Sequence, residues 1–167
     1  GGLYRLDADR TVRRIADGIR LSNGIAWSPD DRVLYHCDSR PGLVLAWDYD
    51  IATGGIANRR VFLDLSQTPY RPDGCTIDAE GCLWLAEVGN GTVGRYAPDG
   101  RRVGGVDVPG ARRVTSVAFG GADLGTLFIT SLRYGIADED LAAQPLAGRL
   151  FAVRPGVRGL PETPYAG

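Results

Sequence analysis

The chain has 167 residues, 44% of them apolar and 23% charged, with a formal net charge of −1. That length can bury a sizeable core, and the charge balance argues against bulk disorder and against the basic excess of a nucleic-acid binder. No apolar run approaches the roughly 20 residues of a membrane span, and the opening residues do not pattern as a signal peptide.

Glycine, at 24 residues, is about twice its usual share, which points to many tight turns and few long helices. Met is absent, and the chain opens on the strand-like Gly1-Gly2-Leu3-Tyr4. Both features are expected of a piece of a longer protein. All 19 basic residues are Arg, read as the composition bias of a GC-rich bacterial genome and not as a site. Three Cys form no disulfide framework. Cys75 and Cys82 flank a tight turn and are placed to face each other, but the expectation is three reduced, packed thiols.

In chain order, Gly2–Leu6 reads as a strand. Gly24–Ser28, Val33–Cys37 and Leu43–Trp47 follow, separated by Pro29-Asp30-Asp31 and by Asp38–Gly42. Short apolar runs between Pro/Gly/Asp clusters predict an antiparallel meander. Leu65–Pro72 reads as a loop. The same grammar returns at Gly74–Asp78, Cys82–Ala86 and Thr92–Tyr96, and again at Val117–Phe119, Thr126–Thr130 and Gly148–Val153. Only 138–143 has acidic residues leading helix formers, which predicts one surface turn of helix inside an insert.

The copies start at Asn23-Gly24, Asp73-Gly74 and Thr115-Ser116, spaced 50 and 42 residues apart. That period, with four short strands per unit, marks the blades of a β-propeller. Gly2–Leu6 resembles the third strands Thr92–Tyr96 and Gly148–Val153. The chain is therefore expected to begin two strands into a blade and to cover about three more.

No Walker loop, Gly-x-Ser-x-Gly elbow, Cys-x-x-Cys pair or EF-hand loop is present. The single His, His36, lies mid-strand and reads as a packed residue. In a propeller the innermost strand of each blade lines the channel, and the residues at its mouth end converge. Those positions hold Asn23, Asp73, Thr115 and Ser116. An Asp carboxylate and an Asn carbonyl are hard oxygen ligands for a divalent ion. Asn-Gly and Asp-Gly are equally common turn signals, so residues alone leave both readings open.

Six ordered stretches carry a resemblance. They are Ser22–Asp30, Tyr35–Ser39, Arg71–Gly74, Asp78–Trp84, Val117–Gly121 and the closing Pro164–Gly167. Together they resemble the senescence-marker-protein/gluconolactonase (regucalcin-like) family over essentially the whole chain. The match covers roughly the C-terminal half, and a little more, of a family member. The resemblance implies an all-β fold: about three and a half four-stranded antiparallel blades of a six-bladed ring. Residues 1–167 would be one partial propeller domain with its N-terminal blades absent.

The resemblance further implies a metal-dependent hydrolase of sugar-acid lactones. Asn23 would be a metal ligand, and Asp73 both a metal ligand and the general base. The family's third ligand, a Glu near the N-terminus, and its Arg/Asn pair that grips substrate hydroxyls have no counterpart here. The cofactor would be one divalent ion among Ca²⁺, Zn²⁺, Mg²⁺, Mn²⁺ and Fe²⁺. Arg71 and Ser116 are weaker candidates for substrate contact, while Trp27 and Trp84 read as blade packing and Asp38-Ser39 as a turn tying one strand to the next. The expected partners are a small lactone and either missing N-terminal blades or further copies of the chain, with no nucleic acid or membrane. The alternative is a non-catalytic binding or scaffold propeller, or an inactive fragment. Reduced thiols lean toward the cytoplasm.

Overall fold

The computed structural model describes residues 1–164, so Tyr165, Ala166 and Gly167 of the closing motif lie outside the described residues. Strands β1 (Gly2–Leu6) and β2 (Val12–Asp17) form a two-stranded sheet. Strands β3 (Ser22–Trp27), β4 (Val33–Asp38), β5 (Leu43–Asp50) and β6 (Gly55–Asp64) make a four-stranded meander. A second meander follows with β7 (Arg71–Ile77), β8 (Leu83–Val88), β9 (Thr92–Tyr96) and β10 (Arg102–Asp107). The last sheet has β11 (Val114–Gly120), β12 (Thr126–Ser131) and β13 (Leu150–Val153). A one-turn helix, α1 (Asp138–Leu141), sits in the insert between β12 and β13. Neighbouring strands pair antiparallel throughout. The fold is all-β and of the β-propeller class, with each sheet a blade or part of one.

The strands β4 and β8 bury both faces, because side chains alternate across the pleat and their blades have a neighbour on either side. In β4, Leu34 packs with Leu3, Ile19, Leu45 and Trp47 against the first sheet, while Tyr35 and Cys37 turn toward the next blade. In β8, Leu83 and Leu85 join that second interface, whereas Trp84 and Ala86 face Val114, Val117, Leu127 and Ile129 of the last blade. Burying side chains such as Leu85 and Leu127, both fully enclosed, contributes roughly 1.5–3 kcal/mol each. At the two ends of the stack, Ile25 and Trp27 on one side and Phe128 and Leu150 on the other stay partly exposed.

Two buried carboxylates brace the third blade. The Asp78 carboxylate accepts from Glu80 N, Cys82 N, Trp84 Nε1 at 2.8 Å and Arg95 Nε at 2.7 Å. Glu87 accepts from Asn90 Nδ2, the Thr92 hydroxyl and the Tyr96 hydroxyl. Every oxygen of both groups has a donor, which is what makes such burial tolerable.

Candidate functional site

Strands β3, β7 and β11 open their sheets, and all three carry an irregularity at the same place. Register slips between Ser22 and Ile25, between Pro72 and Cys75, and between Val114 and Ser116. The recurring dipeptides are therefore not hairpin turns. They are bulged residues inside strands, and a bulge re-aims the side chain it carries. Asn23 and Asp73 are brought to one point this way.

Their glycines permit the approach. A Cβ on Gly24 would lie 2.5 Å from Asp73 O, 2.7 Å from Cys75 N and 2.8 Å from Cys75 Sγ. A Cβ on Gly74 would lie 2.7 Å from Ser116 Cα. Only the absence of a side chain lets successive inner strands run this close.

Asn23 and Asp73 share a cavity of about 410 Å³ with Leu21, Ser39, Arg40, Arg71, Pro72 and Val88. The Asn23 amide donates to Ser39 Oγ at 3.1 Å, and the Asn23 side chain lies beside the Asp73 carboxyl, lowering its hold on a proton. An amide NH₂ has two hydrogens. Ser39 takes one of them, which orients the amide within the cavity. Burial pushes the Asp73 carboxyl up to about 6, against the opposing pull of hydrogen bonds from Asn23 and from Gly74 N–H.

The other expected residues fare differently. Arg71 lines the cavity, but its Nη1 donates to Thr68 O at 2.7 Å and Tyr70 O at 2.8 Å, so the guanidinium is tied to its own loop. Ser116 packs against Gly74 and is not among the cavity-lining residues, and Thr115 Oγ1 pairs with Thr130 Oγ1 at 2.9 Å. Trp84 is buried with its indole N–H on Asp78, as blade packing requires, whereas Trp27 is 37% exposed and meets Tyr49 edge-on. His36 is fully buried. Its Nε2 lies 2.8 Å from Ser22 Oγ, and its Nδ1 has no hydrogen-bond partner among the described residues.

The three Cys are free thiols, but Cys75 does not face Cys82. Its side chain turns into the blade interface beside Cys37, since β7 directs alternate residues to opposite faces. Asp38-Ser39 ties strands together as expected: Asp38 accepts from Arg20 N and Leu21 N, and Ser39 N donates to Leu21 O. Sequence reasoning missed the second duty of Ser39, orienting the Asn23 amide. The Tyr35–Ser39 motif was visible, but nothing local says which strand its hydroxyl will meet.

The donor chemistry here suits a hard divalent cation, with one carboxylate and one amide carbonyl, both oxygen, facing one cavity. Among the described residues no group of three or more His, Cys, Asp or Glu is placed to hold a metal. Residues 1–164 bring the pair, not a full cage.

Bulged inner strands thus bring Asn23 and Asp73 to one cavity of a propeller fold. The chain belongs to the SMP-30/Gluconolactonase/LRE-like family, whose region matches residues 1–133. Regucalcin of Danio rerio is 46% identical over 167 residues, covering 99% of this chain and 56% of that protein. The crystal structure of a calcium-binding protein, regucalcin, from Agrobacterium tumefaciens is 31% identical with a TM-score of 0.88, over 95% of this chain and 54% of that one. A Xanthomonas campestris gluconolactonase is 32% identical with a TM-score of 0.65, over 77% and 41%. The chain thus spans little more than half the length of the relatives it matches. Among the described residues, no helix is long and apolar enough to cross a membrane.

Proposed function

We propose that this chain carries part of the active site of a metal-dependent lactonase, acting on lactones of sugar acids. The observation that supports this best is the meeting of Asn23 and Asp73 in one cavity, each delivered by an equivalent bulge. Similarity to a gluconolactonase and to a calcium-binding regucalcin points the same way.

In this reading the Asp73 carboxylate and Asn23 Oδ1 hold one divalent ion, with Ca²⁺, Mg²⁺, Mn²⁺, Zn²⁺ and Fe²⁺ as the candidates. When bound, that ion supplies Lewis-acid polarisation of the lactone carbonyl and stabilises the charge of the tetrahedral oxygen. Asp73 takes a proton from the attacking water as its oxygen bonds to the carbonyl carbon. The ring C–O bond then breaks, and the proton passes from Asp73 to the departing ring oxygen, giving the open hydroxy acid. Asn23 supplies a ligand without charge, and Ser39 keeps its carbonyl forward. Arg71 forms part of the wall and Ser116 lies behind it, so neither has more than a supporting part.

Residues 1–167 alone are expected to bind metal weakly and to hydrolyse lactone poorly, because this stretch offers two protein ligands. Upstream blades, or a second copy against the exposed Trp27 and Phe128 faces, would complete the ring. Three free thiols accord with a reducing compartment such as the cytoplasm. The test is lactone hydrolysis by the longest natural form, with and without chelator, and then with Asp73→Ala. Loss of turnover in both supports the reading. Unchanged turnover in either sinks it and favours a non-catalytic binding propeller.

A further inference from the structure

The cavity around Asn23 and Asp73 has an unusual charge pattern. Its lining residues include two arginines, Arg40 and Arg71, and one acidic residue, Asp73. The chain as a whole has a formal net charge of −1, so the positive excess is local. The two cations are not equivalent. Arg71 is committed to the carbonyls of Thr68 and Tyr70. Arg40 is exposed, and no hydrogen bond or ion pair engages its side chain among the described residues.

Its backbone, by contrast, is held on both sides. Arg40 sits in the β4–β5 turn directly after Ser39, the residue that orients Asn23. Ser39 N donates to Leu21 O, Gly42 N to Ser39 O, and Leu65 N to Gly42 O at 2.8 Å. A fixed turn therefore presents an unpaired guanidinium to the same cavity as the reacting pair. Guanidinium offers a planar fork of donors matched to a carboxylate.

We propose that Arg40 is a specificity residue that selects lactones bearing a second, free carboxylate. These are lactones of sugar diacids, as opposed to neutral aldonolactones. The inference rests on the lactone reading of the site and adds the substrate class. The lactone ring lies toward Asn23 and Asp73, and the carboxylate at the far end of the sugar chain pairs with Arg40.

D-glucaro-1,4-lactone and D-glucono-1,4-lactone test this cleanly. They share a ring and differ at the chain end, a carboxylate in one and a hydroxymethyl in the other. Binding of each to the longest natural form is measured by calorimetry in low salt with calcium chloride, for wild type, Arg40→Gln and Arg71→Gln. Wild type is expected to favour the glucarolactone by roughly tenfold, the scale of one charge-assisted pair. Arg40→Gln is expected to bring that ratio close to one, and Arg71→Gln to retain it. Raised salt is expected to shrink the wild-type ratio, since an exposed pair is screened. Melting curves check that both variants fold; for Arg40→Gln an unchanged melt is expected, since that side chain is exposed and unpartnered among the described residues. An unchanged ratio in Arg40→Gln, or no preference in wild type, overturns the assignment while leaving the lactone reading in place. Failure of both lactones to bind overturns the two together.

Discussion

Ser39 Oγ accepts a hydrogen bond from Asn23 Nδ2 at 3.1 Å, joining the turn after β4 to the bulge in β3. That hydrogen bond orients the Asn23 amide, and with it the carbonyl, inside the cavity shared with Asp73. Residues that orient a ligand are often worth as much as the ligand itself. Ser39→Ala is expected to weaken calcium binding by about 10-fold or more, with little change in melting temperature. Isothermal titration of the variant against wild type reads this out, and equal affinities would remove Ser39 from the site.

Asp73 sets activity against stability. Burial lifts its folded-state value to about 6, above the roughly 3.9 of an unfolded chain. A raised carboxyl favours the folded state fully below the unfolded value, and that advantage is lost as pH rises through about 6. Metal-free wild type should therefore lose stability from this group between about pH 4 and 6. Asp73→Asn is expected to abolish metal binding, yet to melt higher than metal-free wild type at pH 8. Thermal melts across pH, in chelator, decide it.

His36 works in the opposite direction. Burial lowers its folded-state value below the ordinary imidazole range, with Asp38 pulling the other way. A lowered base contributes stability that is present above roughly pH 6.5 and is lost as pH falls through the folded value. His36→Gln should flatten that acid limb. Since the Asp73 and His36 windows overlap with opposite signs, the two single variants are compared in the same melts. A His36→Gln profile that parallels wild type would show that the imidazole does not titrate on unfolding.

Gly24 is needed for packing, not for a turn. A methyl there would meet backbone of Asp73 and Cys75 at 2.5 and 2.7 Å, atoms that cannot swing away. Gly24→Ala is expected to cost about 1–3 kcal/mol and to weaken metal binding by pushing β3 and β7 apart. Chemical denaturation and calorimetry on one preparation measure both effects. A variant as stable as wild type would contradict the close approach.

Much of this arrangement was legible in the residues. The turn clusters and apolar runs placed the strands, and the spacing from Asn23 to Asp73 to Thr115 marked the blades. Those signals are local: alternation sets strands, Gly and Pro set turns, and repetition sets the period. The bulges were not legible, because an extra residue in one strand is defined only against its partner. Nor was the meeting of Cys75 with Cys37 and not Cys82, since the residues alone do not say which face of β7 the Cys75 thiol takes.

What the sequence determined by itself is the architecture and the residue types of the candidate centre: an all-β repeat with an Asn and an Asp at equivalent blade positions. What only the tertiary structure decided is how those two side chains are aimed, and what surrounds them. Ser39 and Arg40 come from the β4–β5 turn and Arg71 from the start of β7 in the next blade, and they meet at Asn23 and Asp73 only when the blades stack. Stacking depends on packed apolar faces and on two glycines that let backbones touch. Both are properties of pairs of strands, which no single stretch of residues contains.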